Sequence, residues 1–446
     1  MGSFRNLLLS LVVVACPLQA ETLTDIYRLA VNNDPTLQQA YFGMQANKQI
    51  LPETIALMLP NLSGQYTTTG ANSSIASQNP LVAQGGYNTQ SYGLTLSQPI
   101  YRPELWAQLE QSRHIYKGAE AAYLSVAQGL IVRVAQQYFA ILASIDDLDY
   151  AKGQVKAFAR EYEQAKQRFD VGLIAITDVE TAKSRYDNAV ATEISAKNAV
   201  ADQYEKLREI VGKKIDNVTL FPLEKKLALP EPKPNKQEEW VNMAHQYNLD
   251  VIAARENANQ LKSAIGRQAA GHFPTFDVQG SVQRSKTPPP FTDLSYTRSV
   301  SLNVHVPIFA SGGVVFRTRE AQARYDEAMQ TLEEQQRLAD GNTREAYRGV
   351  LTAISRVEAL KQAVISSQSA LKATKAAYEV GTRTIVDVLN AESILLNAIR
   401  EHSQARYEYL LQGLVLKQNA GTLSSDDLFA VNNLIVNAAT EEIKAS

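Results

Sequence analysis

The sequence predicts a mainly α protein with a small β part, assembled from two internal repeats. Its strands close into a barrel only by pairing with other chains. Three observations predict this class: few helix breakers, a self-similarity at an offset of about 209 residues, and four ten-residue runs with strand character. The 446 residues include 22 Gly and 16 Pro, where average usage of about 12% would give roughly 54, so long uninterrupted elements are expected. The 44 Lys+Arg balance 46 Asp+Glu with no basic stripe, which argues against a nucleic-acid partner. A single Cys excludes a disulfide within the chain.

Residues 1–20 read as an export signal. Arg5 is the positive end, Leu7 to Ala15 the apolar run, and Leu18-Gln19-Ala20 the small-residue end before Glu21. A competing reading is a lipoprotein signal, with Val13-Val14-Ala15 placing small residues before Cys16. No other run of 18 apolar residues is found, so no transmembrane helix is expected.

The repeat is carried by Phe169-Asp170-Val171-Gly172-Leu173-Ile174-Ala175-Ile176-Thr177-Asp178-Val179, which returns as Tyr378-Glu379-Val380-Gly381-Thr382-Arg383-Thr384-Ile385-Val386-Asp387-Val388. The frame continues with Asn188 on Asn397, Leu207 on Leu416 and Gly212 on Gly421, and upstream with Tyr138 on Tyr347. The expected order is a first repeat over 21–228, a Pro-rich linker over 229–236, a second repeat over 237–425 and a tail over 426–446.

Each repeat is expected to run helix, strand hairpin, then two very long helices. In the first, residues 103–170 lack proline after Pro103, and Leu124, Ala127, Ile131, Val134, Tyr138, Ile141, Ile145 and Leu148 recur at 3-4 spacing. That is a coiled-coil seam, and at 1.5 Å per residue it makes a rod on the order of 100 Å long. Gly172 turns the chain. Thr177 and Glu180 are expected to form a capping box for a returning helix over 176–211. In the second repeat the helices are expected over 312–379 and 384–419, with the turn at Gly381.

The strands are expected over 61–69 and 89–98, within the hairpin 61–98, and over 275–284 and 297–306, within the hairpin 275–306. Ten residues suit a tilted strand crossing a bilayer. Val300, Leu302, Val304 and Val306 alternate with Ser299, Ser301, Asn303 and His305, which fits one lipid side and one watery side. Tyr66, Tyr92, Tyr101, Phe273, Phe276, Tyr296 and Phe309 lie toward strand ends, as an interfacial girdle requires. The loops over 70–88 and 285–296 are polar and turn-rich. Four strands cannot close a barrel, and open edges lack partners in hydrocarbon. Eight strands are the smallest membrane barrel, so physical reasoning leaves both two and three copies open.

The runs 171–179 and 380–391, with Ala405-Arg406-Tyr407-Glu408-Tyr409-Leu410 and Gly421-Thr422-Leu423, resemble the TolC family of outer-membrane efflux channels, also called outer membrane factors. The likeness extends from Glu21 to about Asn433. It implies a homotrimer in the outer membrane: a 12-stranded transmembrane β-barrel, four strands per chain, continuous with a long α-helical coiled-coil periplasmic tunnel. It further implies outer-membrane lipid around the barrel, a periplasmic adaptor (membrane fusion) protein, an inner-membrane pump of RND, ABC or MFS type, and no cofactor. The resemblance makes Asp387 and position 390 pore-facing rings at the tip, commonly both aspartate. Here the second is Asn390. Repulsion among three Asp387 carboxylates would raise some of their pKa values, whereas a solvated helix-start aspartate is the simpler reading. The resemblance also assigns tip closure to Thr177 and Asp178 in the first repeat and Tyr378 and Arg383 in the second.

Catalytic readings find little support. His114, His245, His272, His305 and His402 show no metal-ligand spacing, and Gly266 to His272 lacks the Lys-Ser/Thr of a phosphate loop. Asp146, Asp147 and Asp149 are expected on a solvated helix face. A non-channel alternative is a periplasmic coiled-coil scaffold, which has no need of paired ten-residue strands.

Overall fold

The computed structural model describes residues 22–73, 85–212, 220–221, 223, 229–287 and 293–445. The expected signal segment, Cys16 and the tips of both hairpin loops lie outside the described residues. The chain divides into two compact units. One comprises residues up to Gln38, Val126–Asn248 and Ala339–Ser446; the other comprises Gln39–Ser125 and Leu249–Leu338.

The second of these units holds a four-stranded antiparallel sheet in the order β1-β2-β3-β4, formed by β1 (Asn61–Ser73), β2 (Gly85–Tyr101), β3 (Thr275–Thr287) and β4 (Asp293–His305). The strands are longer than expected: pairs such as Gly70↔Asn88 and Ser285↔Ser295 fall in segments read as loop. An unbroken register keeps satisfying backbone groups, so the ladder overrides the weak strand propensity of Gly, Asn and Ser.

Paired residues share a face, so the register sorts the whole sheet. Leu62↔Leu96, Tyr66↔Tyr92, Leu94↔Val282, Val278↔Leu302 and Phe276↔Val304 lie on one face. The other face carries Ser63↔Thr95, Thr67↔Ser91, Ser281↔Ser299 and Asp277↔Asn303. The apolar face is solvent-exposed within one chain, with Val300 at 84% and Leu62 at 69% exposure. From Val304 to Tyr296 this face runs about 27 Å along the strand at ~3.4 Å per residue: Val304, Leu302 and Val300 are apolar, and Arg298 and Tyr296 form its rim toward the hairpin end. Aromatics mark both ends of the face. Tyr66 and Tyr92 pair at 4.9 Å near the hairpin end, and Tyr101 and Phe276 at 5.8 Å near the base.

At that base Arg102 grips Asp277 with a two-pronged bond of 2.8 and 2.9 Å. In the same unit lie most of α2 (Pro35–Ala56), the start of α3 (Pro103–Asp170), α6 (Leu249–Ala269) and the start of α7 (Gly313–Glu379). A buried Thr54 to Ser112 hydroxyl pair at 2.7 Å and a His114 to Glu256 contact at 2.6 Å tie these helices together.

The other unit is helical. It holds α1 (Leu23–Asn33), the later parts of α3 and α7, α4 (Ile176–Val211), α5 (Gln237–Tyr247), α8 (Ile385–Asn419) and α9 (Ser425–Ala445). Thus the first repeat opens on two helices, α1 and α2, not one. The segment set aside as a tail is helix α9. The expected seam of α3 is broader than a/d spacing: Leu130, Ala135, Phe139 and Leu142 are buried beside Ile131, Val134, Tyr138 and Ile141, while Leu124 is 44% exposed. A stripe this wide packs against more than one neighbour. The α3 helix also contains an 18-residue window apolar enough to cross a membrane by length and composition, contrary to the sequence reading, and 44% of that window is buried.

The linker is pinned by hydrogen bonds to its backbone and polar groups. Tyr409 Oη donates to Pro230 O at 2.9 Å, Trp240 Nε1 to Pro234 O at 2.8 Å, and Tyr347 Oη to Asn235 Oδ1 at 2.8 Å. Tyr138, the repeat counterpart of Tyr347, donates to Phe221 O at 3.0 Å.

Gly421, at φ +72°, ends α8, and a Cβ there would lie 2.0 Å from the carbonyl oxygen of Tyr247. At Gly172, φ +75°, a Cβ meets open space. Gly172→Ala is expected to cost only the ~1–2 kcal/mol of the left-handed backbone. Gly421→Ala also displaces backbone, so its thermal midpoint by circular dichroism is expected to fall further.

Candidate functional site

The helix-to-helix tips of the two repeats close in the same way. Gly172 N donates to Phe169 O at 2.8 Å and Leu173 N to Arg168 O at 2.8 Å. Gly381 N donates to Tyr378 O and Thr382 N to Ala377 O, both at 2.9 Å. This double bond pattern needs a left-handed residue, and both glycines supply it at φ +75° and +77°. The turns expose apolar side chains: Val171 and Leu173 at 69%, and Val380 at 75%.

One turn onward the repeats diverge. The α8 helix is capped by Thr384, whose hydroxyl accepts from Asp387 N at 3.2 Å. The Asp387 carboxylate in return accepts from Thr384 N and Thr384 Oγ1, each at 2.9 Å. The counterpart of Thr384 is Ala175, which caps α4 with no side-chain bond. The expected Thr177 and Glu180 box is therefore overturned. The cap position falls two residues before Thr177, on a side chain with no acceptor.

This difference sets the state of the two equivalent aspartates. Asp387 is engaged: the Thr384 backbone bond, then its hydroxyl, then the Arg383 charge hold its pKa below the ordinary carboxylate value. Asp178, exposed on the first turn of α4, has no hydrogen bond or ion pair to its carboxylate among the described residues. Arg383 lies 3.9 Å from Asp387 with both groups largely solvated, a weak contact, and it makes no ion pair with Asp178 within the chain. Thr177, Tyr378 and Asn390 are exposed near these turns. The raised Asp387 pKa expected for a ring rests on neighbouring copies; within one chain the helix-start reading describes its geometry.

The two hairpins meet in a groove of about 300 Å³ lined by Glu161, Gln164, Asp178, Arg185, Ile385 and Val386, among others. Glu161 Oε1 accepts from Arg185 at 3.0 Å, but buried Glu161 Oε2 and Gln164 Oε1 have no partner. Unpaired buried acceptors are costly, so this tip carries spare acceptor capacity.

Farther from the tip, α3 and α8 share a polar seam that the sequence reading missed. Tyr407 Oη donates to Asp146 Oδ2 at 2.9 Å, and Gln404 Nε2 donates to Asp147 Oδ1 at 3.0 Å. Burial raises the Asp146 pKa while the Tyr407 bond opposes the shift. Tyr407 is itself pushed well up by burial and by Asp146. Of that acidic trio Asp149 sits on the expected solvated face, beside Lys152 at 3.3 Å, and Asp147 is partly exposed, 3.6 Å from Arg400; Asp146 is the one drawn into the seam. The period of α3 puts 146 next to the buried 142, a signal that charge alone obscured.

The model of the family described as "Outer membrane efflux protein" matches residues 26–213 and 240–422, most of the chain and both repeats. The chain belongs to this outer membrane efflux protein family. The outer membrane protein TolC of Vibrio cholerae is 33% identical over 422 residues, 93% of each sequence. Escherichia coli TolC is 32% identical over 431 residues, 94% of this chain and 85% of the relative. The crystal structure of the Campylobacter jejuni CmeC outer membrane channel superposes with a TM-score of 0.77 at 18% identity, covering 93% of this chain and 90% of that one. This efflux protein is accordingly an outer-membrane channel component.

Thr384→Ala is expected to loosen the start of α8 by ~1 kcal/mol. Because the folded Asp387 pKa is depressed, the stabilisation of the cap is present above the ordinary carboxylate pKa and is lost as pH falls through the lower folded value. Amide hydrogen exchange at Val386 to Leu389, followed against pH, reads both effects; Thr384→Ala should exchange faster at neutral pH and lose the acid-side change.

Proposed function

We propose that three copies join edge to edge into a 12-stranded barrel, continuous with an α-helical periplasmic tunnel. The assembly is the passive exit duct for efflux and type I secretion, opened at its tip when a periplasmic adaptor and an inner-membrane pump dock. The observation that carries this reading is the sheet: one face is apolar and exposed, the other hydroxyl- and amide-lined, and β1 and β4 are each paired on one side only. Two copies would give eight strands, whose interior is just filled by side chains, whereas a duct needs a wider barrel. Three copies supply it.

At the tip, Asp387 and Asn390 lie at i and i+3 on α8 and form the pore-facing constriction, with one acidic and one amide ring. Closure rests on Arg383. Its contact with Asp387 is weak, and Asp178 offers an unengaged carboxylate because Ala175 cannot cap α4. In the closed assembly Arg383 donates charge-assisted bonds to Asp178, with Thr177 and Tyr378 adding neutral ones. The exposed Val171, Leu173 and Val380 give the adaptor an apolar foothold beside these links, so docking and unlocking occur in one place.

In planar bilayers the purified protein is expected to conduct with cation preference. Asp387→Asn, which removes the acidic ring, should reduce the reversal potential across a salt gradient; an unchanged potential refutes the constriction. Arg383→Ser combined with Tyr378→Phe should raise single-channel conductance severalfold, and currents equal to those of the parent would refute the lock.

A further inference from the structure

Near its hairpin end the apolar face of the sheet changes character. Register places Arg284 between Tyr92 and Tyr296, Lys286 between Gln90 and Leu294, and Arg298 opposite Val282, so all three cations share the face of Leu94, Val300 and Leu302. All three are exposed. No carboxylate lies on that face among the described residues, and Asp277 belongs to the opposite one. Arg298 is positioned by Tyr296, with its guanidinium carbon 5.0 Å from the ring centroid and Nη2 donating to Tyr296 Oη at 3.3 Å.

Directly below the cations the face is indented. Gly280, paired with Leu96 and Val300, has open space where a side chain would project. Leu94, Leu96, Val282 and Val300 surround it, and Arg298 closes the upper end, making a groove of about 440 Å³.

An uncompensated charge on a lipid-facing strand is strongly disfavoured at mid-membrane and far less so near the interface. Three like cations are therefore tolerated only at headgroup depth, and they attract anionic lipid. Arginine is suited to phosphate because its fork meets two oxygens at once. We propose that this patch is a binding site for a phosphorylated lipid of the outer leaflet. Its phosphate is held by Arg284, Lys286 and Arg298, and an acyl chain lies in the Gly280 groove. The site deepens the channel reading, because it rests on the apolar face being turned to lipid.

The test is native mass spectrometry of the full-length purified oligomer in detergent, titrated with bis-phosphorylated hexa-acyl lipid A and with its dephosphorylated form. The parent should retain the phosphorylated lipid at least tenfold better than the dephosphorylated one. Arg284→Gln with Arg298→Gln should lower retention about tenfold. Gly280→Leu, whose side chain enters open space, should lower it severalfold with every cation intact. Equal retention by the arginine variant and the parent, or equal retention of both lipids, overturns the site. Bilayer conductance is read on the same samples: channels that conduct normally while lipid retention is unchanged sink this inference alone, and protein that neither oligomerises nor conducts sinks the channel reading itself.

Discussion

The backbone groups along the outer edges of β1 and β4 impose the constraint on which the rest of the molecule depends. Inside hydrocarbon an unpaired N–H or C=O has no water to fall back on, so a four-stranded sheet turned to lipid is unfinished as a single chain. This accounts for features that look unrelated along the sequence. The strands run far past their expected ends, through Gly, Asn and Ser, because each further pair satisfies two backbone groups. The face turned away from lipid is almost wholly hydroxyl and amide, since in a closed barrel it lines water. Its charges are sparse, and the one at the base, Asp277, is held by Arg102.

The helical part faces a different problem, that of packing very long helices closely through many small side chains. Nearly half of the buried apolar residues along α4 and α7 are alanines, among them Ala182, Ala189, Ala328 and Ala346. Small residues let backbones approach closely, but they bury little area, about 25 cal/mol for each Å². Specific polar contacts add register: Tyr407 on Asp146, Gln404 on Asp147 and Arg185 on Glu161 each join different helices. A slip of one residue along α3 breaks all three. Closely packed yet polar seams of this kind hold long helices in a single alignment.

Duplication followed by divergence explains the asymmetry of the tip. Both repeats retain the left-handed glycine and the turn it permits, because no other residue fits that backbone without strain. They differ at the cap, threonine in one and alanine in the other. The hydroxyl that Thr384 has and Ala175 lacks therefore decides whether the aspartate three residues on is spent on its own helix or left for another partner. Two nearly identical turns thereby acquire different chemical roles.

The sequence by itself determined the two repeats, the long helices and their turns, because proline and glycine spacing and apolar periodicity are local signals. It also carried the alternation of β4, where Val300 to Val306 face one way. It did not determine that α3 is buried on a wide stripe, that Asp146 lies in a seam, or that Arg284, Lys286 and Arg298 share the lipid face with the gap at Gly280. Those facts depend on which strand or helix sits alongside, at what register, and pairing between residues nearly 200 apart leaves no trace in either segment alone. The cap failed for the same reason at shorter range. Thr177 and Glu180 satisfy the pattern, but the backbone enters the helix at Ala175. Where a helix begins is fixed by the turn before it, and only the folded chain decides which side chain stands at that point.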